Sequence, residues 1–426
     1  MTFRKLSVIK KQLTSITKYS PTNRKTLTGS LVTLIINLIT NNIGLCINKA
    51  THKVTWTSRV TTVCFVTSCA LQAVALVLAR EDPDRLFECF SVLAFTGMGL
   101  LKLSSFLIYP HRWKFILDEM SKLEIGQLHG CFTSHVDYQS DDEEHINFSS
   151  HISKYSKKFK STSAILKKIY SFTAIIFILS PFLEYSFHRL NGKDGLKYPH
   201  ILPGWAPLDA TIYGYLITVS CEFVSSVYCV CVHIAFDVTN IGIMIFVCGQ
   251  FSLLRKYSEL IAGRGVLCNI SEKRDARARF RIELCHRTNL LVVNMIKELD
   301  KLLKNIIGLY FFLATLTLCS VAVQLKSQDM SVMQVVSLLQ YMGATLTQLF
   351  LFCRYGDAVL NESSVGMGQG PFGAAHWCLS PPLRRDLVLL GKSMMKPISL
   401  RAGPFNYLNL PSFIQASLPM DHYRTE

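Results

Sequence analysis

The sequence predicts an all-α, polytopic membrane protein with about seven transmembrane helices and its N-terminus in the cytoplasm, and three observations carry that prediction. Half of the residues are hydrophobic (50%) and only 17% are charged, against about 25% in ordinary globular domains. Apolar runs long enough to cross about 30 Å of hydrocarbon, roughly 20 residues each, recur along the chain. Lys and Arg gather in alternate segments between those runs, which is how cytoplasmic loops are marked.

Residues 1–58 read as a cytoplasmic N-terminal segment. Residues 1–30 are polar and basic throughout, so a cleaved signal peptide is not expected and the first span does the targeting. The apolar patch Leu31–Ile47 is interrupted by Asn37, Asn41 and Asn42 and is placed at the cytoplasmic surface. The seven-helix domain covers 59–415. Its spans lie near 60–79, 86–109, 169–187, 209–236, 305–325 and 332–353, with an incomplete seventh over 383–415 and a divergent tail at 416–426.

The first two spans form a hairpin around the charged turn Arg80–Arg85. The stretch 111–168 opens with an amphipathic piece (Trp113, Phe115, Ile116, Met120, Leu123) and turns acidic at Asp141–Glu144 before the third span. Pro181 inside that span is tolerable because neighbouring helices satisfy the freed carbonyl. A loop rich in turn residues follows, with Gly192, Gly195, Pro199, Pro203, Gly204, Trp205 and Pro207. The fourth span runs on into the apolar stretch Val238–Leu254, which makes one long helix projecting beyond the bilayer. Val292, Met295, Ile296, Leu299, Leu302 and Leu303 recur at three- and four-residue spacing and form one helix face leading into the fifth span. Both extensions are expected in the cytosol. The seventh span is broken by Arg384, Arg385, Asp386, Lys392, Lys396 and Pro397.

Orientation follows from the basic residues. The segment before Val60 carries ten, 109–168 nine and 255–304 twelve, whereas 80–85, 189–208 and 326–331 carry two, three and one. The rich segments face the cytosol. This excludes the orientation of G-protein-coupled receptors, and it leaves the sequons at Asn147, Asn269 and Asn361 inside the cell and unused.

The formal charge of +16 sits between apolar runs and not on an aromatic-interleaved patch, so no nucleic-acid partner is expected. Of the 14 cysteines, Cys64, Cys69, Cys229, Cys231, Cys248, Cys319 and Cys353 lie within apolar runs and read as small hydrophobes; a disulfide between extracellular cysteines stays open. No metal, cofactor or catalytic residue is expected: the nucleophile-elbow, phosphate-loop and zinc-protease motifs are all missing from the sequence. His188, His200 and His233 read as interface or packing residues.

Beyond the sixth span the residues resemble a known family. Leu351–Ser363 (LFCRYGDAVLNES) resembles the Tyr-Gly segment at the cytoplasmic end of the sixth helix in insect odorant receptors, and Trp377, Arg384, Arg385, the run Lys396–Gly403 (KPISLRAG), Leu410 and Phe413 are similar, in order and spacing, to the last-helix signature of that family. The loop Leu202–Asp209 (LPGWAPLD) also fits the layout of that family. The resemblance implies a plasma-membrane subunit in sensory dendrites that joins the odorant co-receptor in a hetero-oligomer, as a tetramer. It also implies a ligand-gated, non-selective cation channel opened by small volatile apolar molecules. Tyr355, Gly356, Trp377 and Pro397 fall, by the same resemblance, at the subunit anchor and gate. A gustatory receptor of the same superfamily, or a membrane transporter, is the competing reading. Where the family continues its pore-lining seventh helix after the position of Phe413, this chain has Pro419 and a charged tail, so a shortened pore helix is expected.

A pocket for such ligands needs aromatic, apolar walls with one or two orienting polar groups. With the N-terminus inside, those walls come from the outer halves of the helices: Phe87, Phe90, Phe182, Tyr185, Tyr213, Met333 and Val336, with Trp205 as a lid. For each of these residues taken singly, packing between helices or contact with lipid is the simpler reading. Glu184 and Glu222 are ionisable groups within apolar spans, where the cost makes them functional candidates. Glu184 could reach water, and Glu222 divides evenly between a ligand contact and a buried structural bond.

Overall fold

A computed structural model describes residues 30–45, 55–128, 148–191, 198–263, 270–325, 332–364, 366–404 and 406–417, without the side chains of 83–84 and 332–334. The acidic stretch 141–144, the sequons at 147 and 269, the glycines at 192 and 195, the turn at 326–329 and the tail from 418 lie outside them.

The chain order is α1 (Leu31–Ile43), α2 (Trp56–Leu78), α3 (Pro83–Ile108), α4 (Pro110–Leu128), α5 (Phe148–Leu190), α6 (Ile212–Glu259), α7 (Glu272–Gln324), α8 (Val332–Ser364), α9 (Gln369–Gly373), α10 (Pro381–Met394), a two-stranded antiparallel hairpin β1 (Arg401–Ala402) and β2 (Asn406–Tyr407), and α11 (Leu410–Ser417). Among the described residues six helices, α2, α3 and α5–α8, are long and apolar enough to cross a membrane. The stretch expected to form an incomplete seventh span is instead divided into α10, the hairpin and the eight-residue α11.

The long extensions are continuous with their spans. At 43, 48 and 53 residues, α5, α6 and α7 are about 65, 72 and 80 Å long, more than twice the hydrocarbon thickness. The spacing that groups Val292, Met295, Ile296, Leu299, Leu302 and Leu303 on one face buries all six in the structure. Helix α6 is the central post: 89% of its most apolar stretch is buried against the rest of the chain, compared with 11% for α5. The exposed apolar residues of α5, such as Phe172, Ile175, Leu179 and Leu183, are what a lipid-facing helix presents.

The N-terminal patch is a helix, Leu31–Ile43, packed against α6, α5 and α4, with Leu31, Ile35 and Ile39 fully buried. Its asparagines interrupt the apolar run without spoiling the face that packs: Asn37 and Asn41 are exposed. Glu124 of α4 closes its first turn, accepting hydrogen bonds from the Ser30 and Tyr155 hydroxyls and from the Leu31 and Val32 amides. Burial raises the Glu124 carboxyl above its ordinary pKa even though those bonds favour the anion. At the other end Gly44, at φ 73°, takes the left-handed conformation and returns its N–H to the Thr40 carbonyl.

The hairpin is seated between α7 and α8. Arg401 meets Asp300 with its backbone N–H at 2.8 Å, Nε at 2.9 Å and Nη2 at 2.5 Å, and the Gly403 N–H donates to the Lys304 carbonyl at 2.8 Å. Glycine is required on both walls. A Cβ on Gly308 would stand 2.5 Å from the Gly403 Cα, and one on Gly356 would overlap the Leu408 carbonyl.

Candidate functional site

The bundle is organised by two buried carboxylates on α6. The inner one is Asp237, wholly buried, as is Lys102 of α3. The Lys102 ammonium donates to Asp237 Oδ1 at 2.8 Å, to Oδ2 at 3.0 Å and to His233 Nδ1 at 2.9 Å, so its three protons meet three acceptors. Asp237 accepts in addition from the Tyr170 hydroxyl of α5 and from Gln348 Nε2 of α8 at 2.8 Å. His233 Nε2 lies 3.2 Å from the Phe95 carbonyl, and this network assigns the neutral tautomer that donates from Nε2 and accepts at Nδ1. The faces of Phe236 and Tyr310 of α7 stand 5.6 and 5.4 Å from the ammonium. Five of the six spanning helices therefore converge on one ion pair.

The outer carboxylate is Glu222. It accepts from the Ile201 N–H at 2.9 Å and the Leu202 N–H at 3.4 Å, and His200 Nδ1 approaches at 3.1 Å. His200 Nε2 stands 2.8 Å from Asp209. With a carboxylate at each ring nitrogen, the His200 pKa is raised, chiefly by its hydrogen bond to Glu222. The Trp205 N–H donates to the Leu71 carbonyl and the Tyr215 hydroxyl to the Pro199 carbonyl. Together these bonds fold residues 198–211 over the outer ends of α2 and α6. Glu222 thus ties the loop to α6.

The expected pocket residues are distributed around this outer half. Phe87 and Phe90 on α3 and Phe182 and Tyr185 on α5 are half-buried, whereas Tyr213 (78%) and Val336 (44%) are exposed. Met333 lies on the first turn of α8, with its side chain outside the described set. Among the described residues no ring contact or hydrogen bond joins these side chains to one another. Trp205 is 48% exposed and is held through its backbone. Glu184 faces His188 at 3.9 Å.

At the inner end, Tyr355 is buried and its hydroxyl bonds to Thr162 at 2.7 Å. Gly356 abuts Leu408. Trp377 is half-exposed, with its carbonyl bonded to Arg384, and Pro397 is exposed beside Ile398, whose N–H bonds to Ser363. Among the described residues no group of three His, Cys, Asp or Glu side chains could hold a metal, and the eleven described cysteines are free thiols.

Sequence reasoning missed Lys102, Asp237, Tyr170 and Gln348. The rule that singled out Glu222, an ionisable group inside an apolar span, applies equally to Lys102 and would have found it.

These features define a multi-pass helical membrane protein whose spanning helices continue into a packed helical bundle beyond the membrane. The 7tm Odorant receptor family model matches residues 82–417, and the chain belongs to that family, as a multi-pass protein of the plasma membrane. Its relatives are receptors and not enzymes. It is 21% identical to odorant receptor 13a of Drosophila melanogaster over 59% of its own length, and 24% identical to odorant receptor Or2 of Anopheles gambiae over 51%. The matched stretches cover 62% and 60% of those two relatives. Its fold is similar to the structure of the insect olfactory receptor OR5 of Machilis hrabei in complex with eugenol (TM-score 0.68, 14% identity, 92% of this chain and 96% of that one), and to a structure of the same receptor described without eugenol (TM-score 0.67, 16% identity, 92% and 95%).

Proposed function

We propose that the chain is the ligand-tuning subunit of an odorant-gated, non-selective cation channel, assembled with the odorant co-receptor and oriented with its N-terminus in the cytosol. Small volatile apolar molecules enter the outer half of the bundle, among Phe87, Phe90, Phe182, Tyr185 and the outer turns of α6 and α8, beneath the 198–211 loop. The observation that carries the reading is the continuity of α6 and α7, which run unbroken from their membrane-spanning stretches into the packed bundle around Tyr355 and the hairpin. A ligand that shifts the outer ends moves the region of Tyr355, Gly356 and the hairpin through unbroken helices. The ion pair at Lys102 and Asp237 couples the other spans to that motion.

The test is co-expression with the co-receptor, application of an odorant panel, and current recording with internal GTP analogues present or absent. Odorant-evoked current that ignores the analogue is expected. Current that needs G-protein cycling, or solute uptake without current, would refute the channel.

A further inference from the structure

Six lysines stand on the first half of α5, at 154, 157, 158, 160, 167 and 168, with no Asp or Glu anywhere between 148 and 183. All six are exposed. The same stretch buries Ile152, Tyr155, Phe159, Thr162 and Leu166. At 100° per residue the lysines fill the half of the helix facing away from that buried face. Lys158 lies over the Tyr355 ring at 5.4 Å, which leaves its charge unneutralised. The surrounding potential is positive: His151 is held below its ordinary pKa first by burial and then by Lys256 and Lys154. Lys167 and Lys168 end where the apolar run from Ile169 begins, and Lys160 is about 11 Å further along the axis.

We infer that this stripe is a binding surface for anionic lipid headgroups of the leaflet from which α5 emerges, with Lys160, Lys167 and Lys168 in contact and the remaining lysines adding longer-range attraction. Charge complementarity selects the partner, because a cluster of bare lysines directly beside a span meets phosphate-bearing headgroups before any other anion. Assignment of that leaflet as the cytoplasmic one rests on the orientation proposed above. The lower lysines lie beyond headgroup contact and act within a Debye length of about 8–10 Å, so their contribution falls with salt.

The experiment titrates the purified full chain in detergent with short-chain phosphatidylinositol bisphosphate, followed by native mass spectrometry, with soluble inositol trisphosphate as competitor. The K167Q/K168Q variant is expected to bind about thirty-fold more weakly than wild type. K167R/K168R keeps the affinity, and K154Q/K157Q stays within about three-fold. Unchanged binding by K167Q/K168Q overturns the inference. So does equal loss from both glutamine pairs, or soluble headgroup binding as tightly as the lipid, since either describes a free-anion site. None of these readings depends on which way the chain sits in a cell. An epitope ahead of Val60 labelled on intact cells would therefore overturn the orientation alone.

Discussion

Glu222 and Asp237 are buried carboxylates on one helix, about 22 Å apart along its axis, and they do opposite work. Glu222 takes backbone N–H groups from a loop and one histidine, so it holds a lid to a post. Asp237 takes side chains from three other helices, so it holds posts to each other. A carboxylate fed by loop amides can lose its partners one at a time, each backbone group finding water. One that is paired with an ammonium in a dry bundle cannot, because whichever charge is left behind has nowhere to go.

The largest effect should come from breaking the inner pair. Lys102→Met is expected to destabilise the chain by about 3–5 kcal/mol, read as a fall in melting temperature in detergent and in surface expression. K102M/D237L should recover most of that loss; a single variant that melts like wild type would erase the distinction between the two carboxylates. Gly356→Ala sharpens the comparison with a contact that uses shape alone. Its Cβ overlaps Leu408 and should cost about 1–3 kcal/mol, with melting curves to check it.

Glu222→Gln comes next, at about 1 kcal/mol. Amide exchange at Ile201 and Leu202 should quicken while exchange around Asp237 stays slow, and acceleration at both would merge the two sites. The smallest effect is pH-dependent. Folding raises the His200 pKa, so its contribution is complete below the unfolded value and is lost as pH climbs through the folded one. Exchange in the 198–205 loop should therefore rise on going from mildly acidic to alkaline buffer, and H200Q should flatten that profile.

The spans and their long helical continuations were legible because burial along a helix is written in local spacing: Val292 to Leu303 show their buried face in twelve residues. The ion pair was not legible. Asp237 falls just past the end of the apolar run that defines its span and Lys102 seven residues before the end of its own, where a charge can be read as reaching for water. Their pairing across 135 residues leaves no periodic trace. The packing of the N-terminal helix was hard to read because Asn37 and Asn41 lower the mean hydropathy of the run while lying on its exposed side. The pocket walls, named from the outer halves of the helices, remain part of the functional proposal, since their arrangement depends on helix rotation, which apolar composition does not encode.

The separation of Lys102 from Asp237 also has a consequence during synthesis. At about 5–20 residues per second, the ribosome needs on the order of ten seconds to supply the aspartate after the lysine has emerged. Throughout that interval the first hairpin holds a solitary cation, which a lone helix admits to hydrocarbon only at a cost of about 2.5–3.5 kcal/mol. Final seating of α3 must wait for α6, so the order of membrane assembly is imposed by the same bond that later ties the finished bundle together.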